Sequence, residues 1–190
     1  MSKVKNSKTK KSSAKISEAI KFIGISLAGG KSDKACVAVL EYYPDNKKVF
    51  LSRLYEKIKS EEEVSGDLKI HELINQQDKK LKYVAFDTAL DLPQCLNCKL
   101  KCPGYENCKE PHITWMWKHY KEISKKKKPK KLFTPYTERA VEMYFQTELE
   151  SPFHLHHAMG ANSAPLLARA LFIKRRLSCE VIEVYPKLTM

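Results

Sequence analysis

The 190 residues contain no apolar run approaching the roughly 18 residues of a membrane-spanning helix, so no spanning helix and no membrane partner are expected. Lysines crowd the N-terminus, but no apolar segment precedes Ile20, which is not the pattern of a secretory signal peptide. With neither feature, a cytoplasmic protein is expected. Acidic residues are also short: 22 Asp and Glu stand against 35 Lys and Arg, a formal net charge of +13. The length suits one domain with a real core. Nothing in the pattern specifies an oligomeric state.

The excess positive charge is clustered. Lys3, Lys5, Lys8, Lys10, Lys11 and Lys15 form one group, and Lys125, Lys126, Lys127, Lys128, Lys130 and Lys131 another. Such runs repel themselves and stay solvated, so both are expected to be mobile, and residues 1–18 read as a disordered basic tail. One reading of the runs is solubility. The other is attraction to nucleic-acid phosphate, which requires clustered cations and is strongly salt-dependent.

From residue 20 onward the pattern is that of alternating strands and helices. Phe22 to Ala28, Cys36 to Tyr43 and Val49 to Tyr55 read as three strands, with Pro44-Asp45-Asn46 a turn between the last two. A helix is expected over about 66–79, then a short buried strand at Tyr83 to Asp87. Further helices are expected from about Glu138 to Leu149 and from Ser163. In the latter, Asn162 or Ser163 is a cap, Pro165 lies in the first turn, and Leu166, Leu167, Ala170, Leu171 and Ile173 are the apolar side. Val181 to Tyr185 is the fifth strand. The order β-β-β-α-β-α-β predicts an α/β domain over 20–190 of RNase H-like class. Its mixed five-stranded sheet has three antiparallel strands, then parallel ones, flanked by helices. A closing helix normally follows the fifth strand. None is present before Met190, so a C-terminally truncated chain is expected.

Three segments sharpen this expectation. Phe22-Ile23-Gly24-Ile25-Ser26-Leu27-Ala28-Gly29, Val84-Ala85-Phe86-Asp87-Thr88-Ala89-Leu90-Asp91-Leu92-Pro93 and Val181-Ile182-Glu183-Val184-Tyr185-Pro186 occur in this order. Together they resemble the first, fourth and fifth strands of the predicted RNase H-fold nucleases known as domain of unknown function 429. The resemblance implies divalent-metal-dependent cleavage of a nucleic-acid phosphodiester. In that chemistry, strand-end carboxylates hold two Mg²⁺ or Mn²⁺ ions roughly 4 Å apart. It carries the strand acids onto Asp87 and Glu183. It also places Ser26 where the family has an Asp, and a neutral hydroxyl is a poor Mg²⁺ ligand. Asp33 and Asp91 are near in sequence and are weaker candidates to replace it. Arg139 and Glu142 form an Arg-x-x-acid pattern that also resembles the family. Arg139 then clamps a phosphate, or the two are merely a surface ion pair. Two readings remain open: a nuclease, or a catalytically degenerate nucleic-acid-binding or regulatory protein.

Residues 94–131 read as a cysteine-rich insertion. Cys95-x2-Cys98-x3-Cys102-x5-Cys108 gathers four thiols within fourteen residues. Four thiolates close a tetrahedral Zn²⁺ site or hold an iron–sulfur cluster, and free or redox-active thiols are the remaining reading. Lys99, Lys101 and Lys109 lie among them, which also suits a small nucleic-acid-binding knuckle. His154, His156 and His157 read as packing residues rather than ligands, Trp115 and Trp117 as anchors rather than base-stacking platforms, and Cys36 and Cys179 as small buried apolar groups.

Overall fold

The computed structural model describes residues 18–29, 33–77, 80–126, 132–149 and 155–186. The basic tail over 1–17 and Lys127, Lys128, Lys130 and Lys131 lie outside the described residues.

Strand β1 (Ile20–Leu27) alternates with period two: Ile23, Ile25 and Leu27 are buried, whereas Ser26 between them is exposed. It pairs antiparallel with β2 (Ala35–Tyr43), whose Ala35, Val37 and Val39 point into the same core. A 3-10 turn over Pro44–Asn46 leads on, and Lys47 closes it at φ 50°, its N–H donating to the Pro44 carbonyl at 3.2 Å. Strand β3 (Lys48–Ile58) then forms the sheet edge, antiparallel to β2, with register shifts opposite Ala35/Val37 and Val39/Leu40.

Helix α1 (Gly66–Asn75) begins where the Ser65 hydroxyl accepts the Leu68 N–H at 3.3 Å, an N-cap. It buries Ile70, Leu73 and Ile74 and ends earlier than the spacing predicts. This crossover lets β4 (Leu81–Phe86) lie parallel to β1, and β5 (Glu180–Glu183) lies parallel to β4. The sheet order is therefore β3-β2-β1-β4-β5, a mixed five-stranded sheet flanked by helices in the RNase H-like α/β topology.

Between β4 and β5 lie α2 (Gln94–Asn97), α3 (Pro111–Lys126), α4 (Ala140–Glu148) and α5 (Ser163–Lys174). Helix α5 seats Ala170 and Ile173 against the sheet core, with Leu166 packed beside them, and Leu167 is buried as well. Asn162 precedes it but makes no side-chain cap bond. Helix α3 is an addition to the expected elements, and it includes Lys125 and Lys126, the first two lysines of the run expected to be mobile. Ile113 and Met116 of α3 are buried with Phe133 and with Met143 of α4, and Trp117 and Tyr120 pack alongside. This second apolar cluster is separate from the one under the sheet. Among the described residues, no helix is long and apolar enough to cross a membrane.

Candidate functional site

The carboxyl ends of β1, β4 and β5 come together at one end of the sheet, where open α/β sheets place their sites. Ile25 pairs with Phe86, and Phe86 pairs with Glu183. The ladder runs on through the Asp87 N–H, which donates to the Ile25 carbonyl at 3.3 Å, and the Val184 N–H, which donates to the Phe86 carbonyl at 2.8 Å. Ser26 and Asp87, each one residue past a paired position, are both exposed at this end. A cleft of about 110 Å³ opens there, lined by Asp87, Thr88, Arg139, Glu142, His156 and Glu183 among others.

Arg139, the residue before α4, dominates the geometry. Its Nη2 donates to Glu183 Oε1 at 2.7 Å and its Nη1 to Glu183 Oε2 at 2.8 Å, a two-pronged pairing that only a guanidinium can make. Its Nε donates to Glu142 Oε1 at 2.6 Å. Glu142 is 1% exposed, so this is no surface ion pair. The buried carboxylate is satisfied by backbone as well: Glu142 Oε2 accepts the Arg139 N–H at 3.0 Å and the Ala158 N–H at 2.8 Å. Glu183 also accepts the Leu90 N–H at 3.1 Å. Burial works against the Arg139 charge. The hydrogen bonds and charges of Glu183 and Glu142 outweigh it and hold the guanidinium protonated more firmly than usual.

This arrangement does not fit a two-metal centre. Both oxygens of Glu183 face Arg139, Glu142 is enclosed by three donors, and Ser26 at the end of β1 offers a hydroxyl, a poorer Mg²⁺ ligand than a carboxylate. Of the three acids lining the cleft, Asp87 alone keeps a carboxylate with no hydrogen bond or ion pair to the described residues. Arg139 has all three guanidinium nitrogens engaged by carboxylates, which leaves little of it for a phosphate. Neither sequence candidate to replace the missing acid lines the cleft. Asp33 is bound by the Ser60 hydroxyl and by the Ser60 N–H at 2.6 Å, and Asp91 lies 3.7 Å from the Lys174 ammonium. His157 pairs with Glu138 at 3.1 Å, His156 lines the cleft, and His154 lies outside the described residues. The backbone donors of Leu90 and Ala158 have no sequence signal, because any residue type carries an N–H.

The four cysteines lie elsewhere. Cys95 is in α2, Cys98 ends it, and Cys108 follows a 3-10 turn over Tyr105–Asn107. With Cys102 they line one cavity of about 460 Å³ beside Ile113 of α3. All four are free thiols; Cys98 and Cys102 are exposed, and Cys95 and Cys108 pack against the second apolar cluster. Burial, and then the other three thiols, push the Cys95 pKa up. Among the described residues, no three His, Cys, Asp or Glu side chains are gathered tightly enough to hold a metal ion as they stand. Trp117 is an anchor, its ring 4.8 Å from Tyr105 and 5.1 Å from Phe133, whereas Trp115 is partly exposed and stacks on His119 at 4.8 Å. Cys179 packs against the sheet core, while Cys36 on β2 is half-buried.

The sheet has the RNase H-like α/β topology, and at its strand-end cleft Arg139 holds both Glu142 and Glu183. No family model, no curated protein and no solved structure matches the chain.

Proposed function

We propose that this chain is a catalytically degenerate member of the RNase H-like class that binds nucleic acid without cleaving it. The observation that carries this is the two-pronged pairing of Arg139 with Glu183, which occupies a carboxylate the resemblance assigns to metal binding. Ser26 in place of the first-strand acid acts in the same direction. Support for the nucleic-acid partner is the net charge of +13 and the run from Lys125 to Lys131, which continues from the end of α3. Membership of the predicted nuclease family rests on the three strand segments and is part of this proposal.

The test is binding and cleavage measured together on labelled single-stranded, duplex and branched DNA and RNA. Binding is expected to fall steeply with salt, with a log–log slope of roughly −4 to −5 if six lysines meet phosphates. No cleavage is expected with Mg²⁺ or Mn²⁺. Replacing the six lysines of 125–131 with Ser should flatten the slope. Absence of salt-sensitive binding would sink the proposal.

A second reading, an active nuclease, is favoured by one feature: the unpartnered carboxylate of Asp87 in the cleft. It predicts divalent-metal-dependent cleavage that Asp87→Asn abolishes.

A further inference from the structure

We propose that Cys95, Cys98, Cys102 and Cys108 bind one Zn²⁺ as a four-thiolate site, and that this ion is the anchor of the loop over residues 94–110. The four thiols open onto a single cavity, and no other cysteine lines it. The loop has few other means of holding its shape. Its helical pieces are α2, four residues long, and the three-residue turn at Tyr105–Asn107, and neither has a side-chain cap. Its backbone bonds are local, such as Cys98 N–H to the Gln94 carbonyl at 3.0 Å and Asn107 N–H to the Gly104 carbonyl at 3.2 Å. Two of its leucines contribute little core: Leu96 is 47% exposed and Leu100 78%. Irregular segments of this length in compact domains usually have a specific reason for their order.

The positions of the thiols suit such a site. Cys95 and Cys108 are fixed from below by packing on the Ile113 and Met116 cluster of α3 and α4. Cys98 and Cys102 are exposed and line the same cavity. No three of the thiols yet share a coordination sphere, so binding draws the outer pair inward onto the inner pair. Each ligand binds as thiolate, so four thiols and one Zn²⁺ give a site of net charge −2 and release four protons to solvent. Lys99, Lys101 and Lys109 in the same loop offset that charge. Zinc is favoured over an iron–sulfur cluster because two of the four cysteines are exposed. A cluster there would meet water and oxidants, whereas Zn²⁺ has no redox chemistry to lose.

The experiment uses the full chain, purified without chelator and assayed for metal, then stripped and titrated with Co²⁺. About one zinc per chain is expected. Co²⁺ should give the strong thiolate-to-metal charge-transfer absorption and intense visible bands of a tetrahedral site. Cys98→Ser and Cys102→Ser should each lose most of the cobalt affinity, while Cys36→Ser, on β2, should leave it unchanged. Metal addition should also shift the emission of Trp117, whose ring meets Tyr105 of the loop edge-on. Should a serine variant fail to fold, the wild-type cobalt spectrum decides. Iron with acid-labile sulfide, absence of a thiolate charge-transfer band, or an unchanged spectrum in folded Cys98→Ser and Cys102→Ser would each overturn the proposal.

Discussion

Arg139 and Glu183, forty-four positions apart, meet through two parallel hydrogen bonds of 2.7 and 2.8 Å, and the same guanidinium holds Glu142 at 2.6 Å. One cation therefore serves two carboxylates, one of them fully buried. Arg139→Met should destabilise the protein by about 3–5 kcal/mol, because it strands the Glu142 charge in the interior. Arg139→Lys should recover only part of that loss, since a single ammonium cannot match the fork that spans both carboxylates. Urea denaturation of the three proteins checks this.

Ser26→Asp adds a second carboxylate on the strand beside Asp87. It is expected to raise Mn²⁺ affinity over the wild type, as measured by calorimetry or by paramagnetic broadening of nearby resonances. Adding Asp87→Asn to that variant should remove the gain. If the wild type already binds Mn²⁺ as tightly as Ser26→Asp, the hydroxyl is not what the cleft lacks.

His71 is 5% exposed, its Nε2 has no hydrogen-bond partner among the described residues, and its ring meets Phe172 edge-on at 6.0 Å. Burial first, and the positive charge of Arg176 second, lower its pKa below the ordinary 6.5, with Asp67 opposing. The folded protein thus keeps His71 neutral at a pH where the unfolded chain already takes up a proton. Stability is therefore present above about pH 6.5, declines as the pH drops below it, and levels off beneath the folded-state pKa. His71→Leu should flatten this stretch of the pH–stability curve. An unchanged curve would show that another group governs it.

Arg169 donates to Asp67 at 2.7 Å and to the carbonyls of Asp33 at 2.7 Å, Ala28 at 2.9 Å and Lys34 at 3.1 Å. It ties α5 to α1 and to both arms of the β1–β2 connection. Arg169→Leu should lower stability by about 2–3 kcal/mol, the range for charge-assisted hydrogen bonds. The Ala28 N–H, which donates to the Lys34 carbonyl at 2.9 Å, should exchange faster with solvent in that variant.

The sheet was legible because β1, β2, β4 and β5 announce themselves locally, through runs such as Ile23, Ile25 and Leu27 and through the turn at Pro44-Asp45-Asn46. Helix α3 was not read from the sequence, although Pro111 starts it and Ile113, Met116, Trp117 and Tyr120 recur at helical spacing. Its cysteine-rich and lysine-rich flanks carry no apolar periodicity that would mark where the stripe begins and ends. Asp87 and Glu183 are brought together in the sequence by the family resemblance of the fourth and fifth strand segments, and both line the cleft. That Glu183 would be claimed by Arg139 depends on where the segment before α4 docks, which no local pattern encodes. The burial of Glu142 was hidden for the same reason: besides two donors of Arg139 it takes the backbone N–H of Ala158, sixteen positions away.

The two separate apolar clusters mean that one-step melting is not secured by the cores alone. The sheet with α1 and α5 shares one core, and α3, α4 and Phe133 share another, so each is expected to open as a unit. Arg139 stands at the head of the second block and grips the last strand of the first, so it acts as an electrostatic rivet across their seam. With the rivet in place, opening either block breaks the two-pronged Arg139–Glu183 pairing, so the two openings are coupled. Without it, the smaller block can open while the sheet persists, and protease sensitivity would then appear in α3 and α4 well before the global transition.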